Sequence, residues 1–193
     1  MKELSLNILD IVQNSIRAEA GEISVTIIES AIDDLYQILI KDNGTGIPGE
    51  ILGNVTDPFV TTRTKRRMGL GLPLLKYHAE LTGGGLEINS LERKGTEVKA
   101  TFSYKHIDRQ PLGNIVGVLV LLMAANQELD LIYQHKTDKG EYRFSSKETK
   151  EYLEVESLGD RKLLGEIGCM IATNLMEIEV SGFDLKESYK VIL

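Results

Sequence analysis

In the first half of the chain, the same order of elements occurs twice: a helical pattern followed by two strand patterns. In the first helical stretch, Leu4, Ile8, Ile11 and Ile16 recur at the three- and four-residue spacing of one buried face. Each strand pair consists of β-branched or aromatic runs around a short polar turn. Because apolar helix faces must be buried and turn-linked strands pair antiparallel, this order predicts an α/β two-layer sandwich. The predicted helices span residues 2–20 and 69–82, and the predicted strands span 23–28, 36–41, 86–89 and 96–104.

The pattern changes after residue 104. An apolar helix is predicted over 115–125, then a hairpin with strands at 131–134 and 142–145, then a helix over 160–177. We therefore predict two units, residues 1–104 and a small α+β C-terminal extension over residues 105–193. The sequence leaves open that the second part simply extends the first. It also leaves open whether its apolar helices pack on the first unit or on a second chain.

Charge and composition exclude several classes of protein. The 193 residues carry a net charge of −7, which argues against a broad nucleic-acid-binding surface. The single cysteine, Cys169, excludes an internal disulfide framework and a cysteine-rich zinc site. The longest apolar run is shorter than the roughly 20 residues that cross a bilayer, and the N-terminus lacks a signal-peptide pattern. We expect a soluble, cytoplasmic protein without membrane insertion.

A polar stripe follows the first helix opposite its apolar face. It contains Asn7, Asp10, Asn14 and Arg17, at offsets of three, four and three residues. One interpretation is a solvated helix face. The other is a phosphate site, in which a carboxamide oxygen binds Mg²⁺, a carboxylate activates a nucleophile and a guanidinium contacts a phosphate.

A glycine-punctuated bend follows the second strand, with the sequence Asp42-Asn43-Gly44-Thr45-Gly46-Ile47. Such a sequence is typical of an ordinary turn. Alternatively, Asp42 at the strand end accepts a hydrogen bond from an exocyclic amine. The two glycines would then let the backbone lie against an aromatic base.

A basic segment leads into the second helix. It contains four cations (Arg63, Lys65, Arg66 and Arg67) and precedes Gly69-Leu70-Gly71-Leu72-Pro73. A solvated loop would explain the charges alone. A glycine-rich helix N-terminus beside four cations, however, favours a bound phosphate.

Four motifs together resemble one superfamily: Asp10-Ile11-Val12-Gln13-Asn14, Asp42 to Ile47, Gly69-Leu70-Gly71-Leu72 and Gly95-Thr96. They are similar to the successive boxes of the gyrase, heat-shock chaperone, histidine kinase and MutL ATPases, which share the Bergerat nucleotide-binding fold. The resemblance covers residues 1–104. Arg17, the segment Phe59-Val60-Thr61-Thr62-Arg63 and the glycine-rich box resemble most closely the catalytic domain of sensor histidine kinases.

The resemblance implies a site for ATP and Mg²⁺. It makes Asn14 the Mg²⁺ ligand, Asp10 the residue that activates the nucleophile, and Asp42 the acceptor of the adenine amine. Residues 60–68 would form a lid over ATP. The residues implied in ATP binding are Asn14, Arg17, Asp42, Gly44, Gly46, Ile47, Phe59, Thr62, Arg63, Lys65, Gly69, Leu70, Gly71, Leu72 and Thr96.

Departures from the histidine kinase pattern lead to two main functional hypotheses. The chain begins on the first-box helix, so we expect it to lack the dimerisation helices with their phosphoacceptor histidine. His78, His106 and His135 are interpreted as structural or surface residues. The first hypothesis is an ATP-dependent kinase or ATPase whose acceptor is a protein in trans, with a homodimer possible. The second is a nucleotide-gated regulatory module with little or no turnover, favoured by Asp10, which replaces a glutamate common in relatives. A structural domain without a nucleotide would require all four motifs to be coincidences.

Overall fold

A mixed six-stranded sheet forms the centre of the protein in the computed structural model, which describes residues 3–57 and 71–183. The strands are β1 (Glu22–Ser30), β2 (Leu35–Asp42), β3 (Gly85–Leu91), β4 (Gly95–Ser103), β5 (Asp130–Lys136) and β6 (Glu141–Ser145). Their order across the sheet is β3-β4-β2-β1-β5-β6. Neighbours are antiparallel except β1 and β5, which are parallel. The register pairs Asp42 at the end of β2 with Ile23 on one side and Thr96 on the other.

Helices cover one face of this sheet. They are α1 (Leu4–Arg17), α2 (Gly49–Leu52), α3 (Gly71–Leu81), α4 (Ile115–Ala125), α5 (Ser146–Leu153) and α6 (Arg161–Glu177). Alternate side chains of the central strands are buried beneath them, for example Ile23, Val25 and Ile27. The opposite face carries ion pairs such as Lys41 to Glu97 at 2.7 Å. One buried and one polar face confirm the predicted α/β two-layer sandwich.

Helix α1 is shorter than the predicted span of residues 2–20. At its N-terminus, the backbone N–H groups of Leu4 and Ser5 donate to the carbonyls of Pro111 and Leu112 at 3.0 and 2.8 Å. At its C-terminus the helix ends at Arg17, because Glu19 adopts a left-handed backbone with φ of 60°. The predicted end at residue 20 was therefore wrong by one turn.

The described residues beyond 105 join the same sheet and the same helical layer. Strand β5 lies between β1 and β6 in the six-stranded sheet and pairs with β1. Helix α4 packs against both α1 and α6. Helix α4 buries side chains around most of its circumference because it lies between these two helices. The apolar helix α4 therefore packs on the first unit of the same chain, through α1. The division into units 1–104 and 105–193 stays a prediction.

Most other elements lie within a few residues of their predicted bounds, and α4 matches them at both ends. Two helices were not predicted, α2 and α5. Among residues 3–57 and 71–183, no helix has both the length and the apolar character needed to cross a membrane.

Candidate functional site

The carboxylate of Asp42 is held by three hydrogen bonds at the end of β2. Ser15 Oγ on α1 donates to Oδ2 at 2.5 Å. The backbone N–H groups of Gly44 and Thr96 donate to Oδ1 at 3.0 and 3.1 Å. Asp42 is half-buried, so its carboxylate is oriented yet reachable from solvent. An oriented carboxylate is a specific acceptor for an amine.

The bend after Asp42 fits closely between α1 and the turn joining β3 to β4. The N–H of Thr45 donates to the carbonyl of Ala18 at 2.8 Å, and the carbonyl of Thr45 accepts from Arg93 at 2.7 Å. Gly44 leaves no room for a side chain, because a Cβ there would lie 2.6 Å from the Ala18 carbonyl oxygen. Gly46 has a left-handed φ of 71°. The segment is therefore a packed bend, and it does not connect two strands of a hairpin as an ordinary Asp-Asn-Gly turn would.

Ser90 joins the bend to the Gly95-Thr96 motif. Its Oγ donates to the carbonyl of Gly95 at 3.0 Å and lies 2.9 Å from Thr96 Oγ1. The same oxygen accepts from the N–H of Ile47 at 2.8 Å. Thr96 thus contacts Asp42 through its backbone N–H, while its hydroxyl is bonded to Ser90. The structure brings these predicted site residues together around Asp42.

A second group of predicted residues lies on α1 and at the start of α3. Asp10 is half-buried, and its Oδ2 occupies the space that a Cβ on Gly71 would need. Asn14, one turn after Asp10, accepts a hydrogen bond at Oδ1 from Arg17 Nη1 at 2.8 Å. Leu72 is partly buried and packs against the core. The first-helix motif and the glycine-rich motif therefore meet at Asp10 and Gly71.

Helix α1 links the two groups. Ser15, which bonds Asp42, and Asp10, which contacts Gly71, are five residues apart, or about 7.5 Å along a helix axis. Asn14 and Arg17 lie on the same two turns. The buried side of α1 thus contacts the carboxylate of Asp42 through Ser15. The polar side of the same helix places Asp10 against Gly71, the first residue of α3.

Two predictions about polar residues can be compared with the structure. Asn7 was predicted on the exposed polar stripe, and this is wrong: it is completely buried, and its Nδ2 donates to the Glu3 carbonyl at 3.3 Å. Of the histidines, His78 lies on α3 with its pKa lowered by burial, and His106 is partly exposed. His135 is completely buried, with Nε2 3.0 Å from Glu29.

Several predicted residues lie outside the described residues. These are the predicted lid, residues 60–68, and the ATP-binding candidates Phe59, Thr62, Arg63, Lys65, Gly69 and Leu70.

Sequence reasoning missed Ser15 and Ser90. Ser15 falls on the buried side of α1, four residues after Ile11, and is 4% exposed. A serine hydroxyl on an apolar helix face needs a hydrogen-bond partner, and this signal could have directed attention to Asp42. Ser90 gives a weaker signal of the same kind, because it follows Leu86 and Ile88 on the half-buried face of β3, where the alternation predicts an apolar residue.

The chain is similar to several known proteins. The family model of histidine kinase-, DNA gyrase B- and HSP90-like ATPases matches residues 2–106. The NtrY-like sensor histidine kinase of Rickettsia conorii is 35% identical over 109 residues, which are 56% of this chain and 18% of that protein. Sporulation kinase D of Bacillus subtilis is 36% identical over 96 residues, which are 49% of this chain and 18% of that protein. The chain thus spans less than a fifth of the length of these relatives.

A solved structure supports the fold. The N-terminal domain of a DNA repair protein superposes with a TM-score of 0.52 at 18% identity, covering 75% of this chain and 52% of that one. At this identity the likeness concerns the fold alone, and it agrees with the Bergerat-type sandwich expected from the motifs. The match over residues 2–106 includes both groups of residues around α1. The chain therefore belongs to the family of histidine kinase-, DNA gyrase B- and HSP90-like ATPases.

Proposed function

We propose that this chain binds ATP with Mg²⁺ along α1 and transfers the γ-phosphoryl group to a protein acceptor in trans or to water, in a signalling or regulatory role. The observation that carries the proposal is the carboxylate of Asp42, held by three donors beside the helix that bears Asn14 and Asp10. A carboxylate fixed in this way is suited to an amino-substituted base. The phosphates would extend along α1 towards Gly71.

The base end of the site uses Asp42 and the bend that follows it. Asp42 would accept from the adenine amine, and Gly44 and Gly46 would let the backbone approach the ring. Thr96 would hold Asp42 through its N–H at 3.1 Å. Ile47 would line the pocket, held by its bond to Ser90.

The donor set on α1 fits a magnesium ion that arrives with a nucleotide. Mg²⁺ prefers oxygen ligands and retains waters and phosphate oxygens, so it needs few protein ligands. Asn14 Oδ1 would be that ligand, and its bond to Arg17 would be replaced by the metal. The released guanidinium would then be able to contact a phosphate oxygen. The bound ion would supply charge stabilisation to the phosphates.

Asp10 would accept the proton of the attacking nucleophile. It lies one turn before Asn14 and against Gly71, the first residue of α3. Backbone N–H groups at the start of that helix would bind phosphate oxygens. The remaining proposed ATP contacts are Phe59, Thr62, Arg63, Lys65, Gly69, Leu70 and Leu72.

A nucleotide-gated regulatory module is the second candidate function. It is favoured by the contact between α1 and the extension, since Leu4 and Ser5 donate to Pro111 and Leu112. A nucleotide that shifts α1 would also move the chain segment that leads into α4, because the two are joined by these hydrogen bonds. We also propose a cytoplasmic location, where ATP is available, and a protein partner, with a homodimer as one form.

Turnover by an Asp10→Asn variant distinguishes the two candidates. For an enzyme, we expect the parent to release phosphate from ATP or to label an acceptor, and we expect the variant to lose about 100-fold or more of this rate. ATP affinity should stay close to that of the parent, since asparagine keeps the shape of the side chain. The exposed Asp108 offers a control, and Asp108→Asn should leave both quantities unchanged.

Three outcomes would change the proposal. Equal turnover by Asp10→Asn and the parent would contradict the role of Asp10. Saturable ATP binding without turnover in the parent would favour the nucleotide-gated module. A parent that does not bind ATP would contradict both.

A further inference from the structure

Ser15 is a buried hydroxyl that lies outside the four sequence motifs described above. It directly follows Asn14, but it points from α1 towards the sheet, where its Oγ lies 2.5 Å from Asp42 Oδ2. The same oxygen lies 3.4 Å from the carbonyl of Ile11. A hydroxyl has one proton, and the much shorter distance assigns that proton to the carboxylate.

The short distance has a consequence for Asp42. Hydrogen bonds from a hydroxyl to a carboxylate oxygen are shorter and stronger than those between neutral groups. Two backbone N–H groups donate to Oδ1 and Ser15 donates to Oδ2, so the three donors together fix the rotation of the carboxylate, with Ser15 as the donor on the Oδ2 side. With all three donors in place, the carboxylate can only accept hydrogen bonds from a ligand. It would attract the amine of adenine and repel the carbonyl oxygen that guanine has at the same position.

We propose that Ser15 is a positioning residue that gives the site its preference for aminopurine nucleotides. The proposal rests on the proposed ATP site and deepens it. Ser15 acts through Asp42 and does not itself touch the nucleotide. Because Ser15 and Asn14 are consecutive on α1, the helix turn that would hold the metal also fixes the base-reading carboxylate.

The test compares two nucleotides that differ only in the amine. We would titrate ATP and purine riboside 5′-triphosphate, which lacks the exocyclic amine, into the parent, Ser15→Ala and Ser15→Thr. The parent should bind ATP about tenfold or more tightly than the analogue. In Ser15→Ala this preference should fall to within about threefold, chiefly through weaker ATP binding, while analogue binding changes little. Ser15→Thr keeps the hydroxyl and should retain most of the preference.

A matched control uses another buried serine of the same helix. Ser5 is 1% exposed and lies at the opposite end of α1 from Asp42. Ser5→Ala should leave the ratio of the two affinities as in the parent. Thermal unfolding of each variant shows whether the protein is folded during the titrations.

The outcomes separate this inference from the proposed function. Equal losses for ATP and the analogue in Ser15→Ala, or an unchanged preference, would overturn the positioning role while ATP binding by the parent stands. A parent that binds both nucleotides equally would overturn the amine contact on which the role depends. A parent that binds neither would overturn the proposed function itself.

Discussion

Replacing Asp42 by asparagine removes a charged acceptor with almost no change of shape. In the parent, Oδ1 accepts from two backbone N–H groups and Oδ2 accepts from Ser15 at 2.5 Å. In Asp42→Asn, the amide oxygen can keep the two backbone bonds. The amide nitrogen would then face Ser15, whose hydroxyl can turn and accept while it donates to the carbonyl of Ile11. We therefore expect the variant to fold.

The effect on ATP should be large because the amide nitrogen presents a donor to the amine of adenine. Losing a hydrogen bond to a charged group costs about 1.5–3 kcal/mol of binding free energy. Two N–H donors that face each other, one from the variant and one from adenine, add a further cost. A total of about 2–4 kcal/mol corresponds to an affinity loss of about 30- to 1,000-fold. The variant should lose less affinity for GTP than for ATP, since an amide N–H can donate to the carbonyl oxygen of guanine.

Calorimetric titration of ATP and GTP measures these changes, with Asp34→Asn as the control. Asp34 also accepts hydrogen bonds from a serine hydroxyl and a backbone N–H, from Ser103 at 2.9 Å and Lys105 at 2.8 Å. It precedes β2, whereas Asp42 ends it. Asp34→Asn should leave ATP affinity unchanged. A folded Asp42→Asn variant that binds ATP like the parent would refute the base-binding role.

Three further predictions concern stability, each measured by urea unfolding. Gly95→Ala places a Cβ against the carbonyl of Asp42, at a residue with a φ of 103°. We therefore expect the free energy of unfolding to fall by about 1–3 kcal/mol or more and ATP to bind more weakly. A free energy of unfolding equal to that of the parent would contradict this. Leu119→Ala removes a completely buried side chain of α4 and should cost about 2–5 kcal/mol, whereas a loss below about 1 kcal/mol would show that α4 is not in the core. Burial raises the pKa of Glu29, but hydrogen bonds from His135 and from a backbone and side-chain donor outweigh it, and the net pKa is below its usual value. Glu29 should therefore stabilise the fold above its unfolded pKa of about 4.3, and this contribution should disappear as pH falls through the lower folded pKa. Glu29→Gln should flatten the acid side of the stability profile, and parallel profiles would contradict the assignment.

The sequence predicted the sandwich because its signals are local. Helix α4 was placed at both ends by an uninterrupted apolar run, which begins after Asn114 and stops at Asn126. The pairing of two strands joined by a short turn can also be predicted from the sequence, because such strands pair antiparallel with each other. The parallel pairing of β5 with β1 has no such signal, because about 100 residues separate the two strands. Helix α5 was missed because only Ser146 of its residues is buried, so it has no apolar period.

The candidate site could be predicted only as far as its motifs extend. Asp10, Asn14 and Asp42 stand in recognisable motifs, and the structure places Asp10 and Asn14 on α1 and Asp42 at the end of β2, in contact with that helix. The support of Asp42 by Ser15 depends on a contact across 27 residues, which a single sequence does not encode visibly. Asn7 was assigned to the polar stripe because helical spacing alone does not tell a solvated polar residue from a buried one.

The most direct test of the central claim is an equilibrium titration of the purified chain with ATP in the presence of Mg²⁺, paired with the same titration of Asp42→Ala. The account predicts saturable binding of one ATP per chain by the parent and its loss in the variant. Binding of equal strength by both proteins would contradict the position of the base, and an absence of binding by the folded parent would contradict the ATP site as a whole.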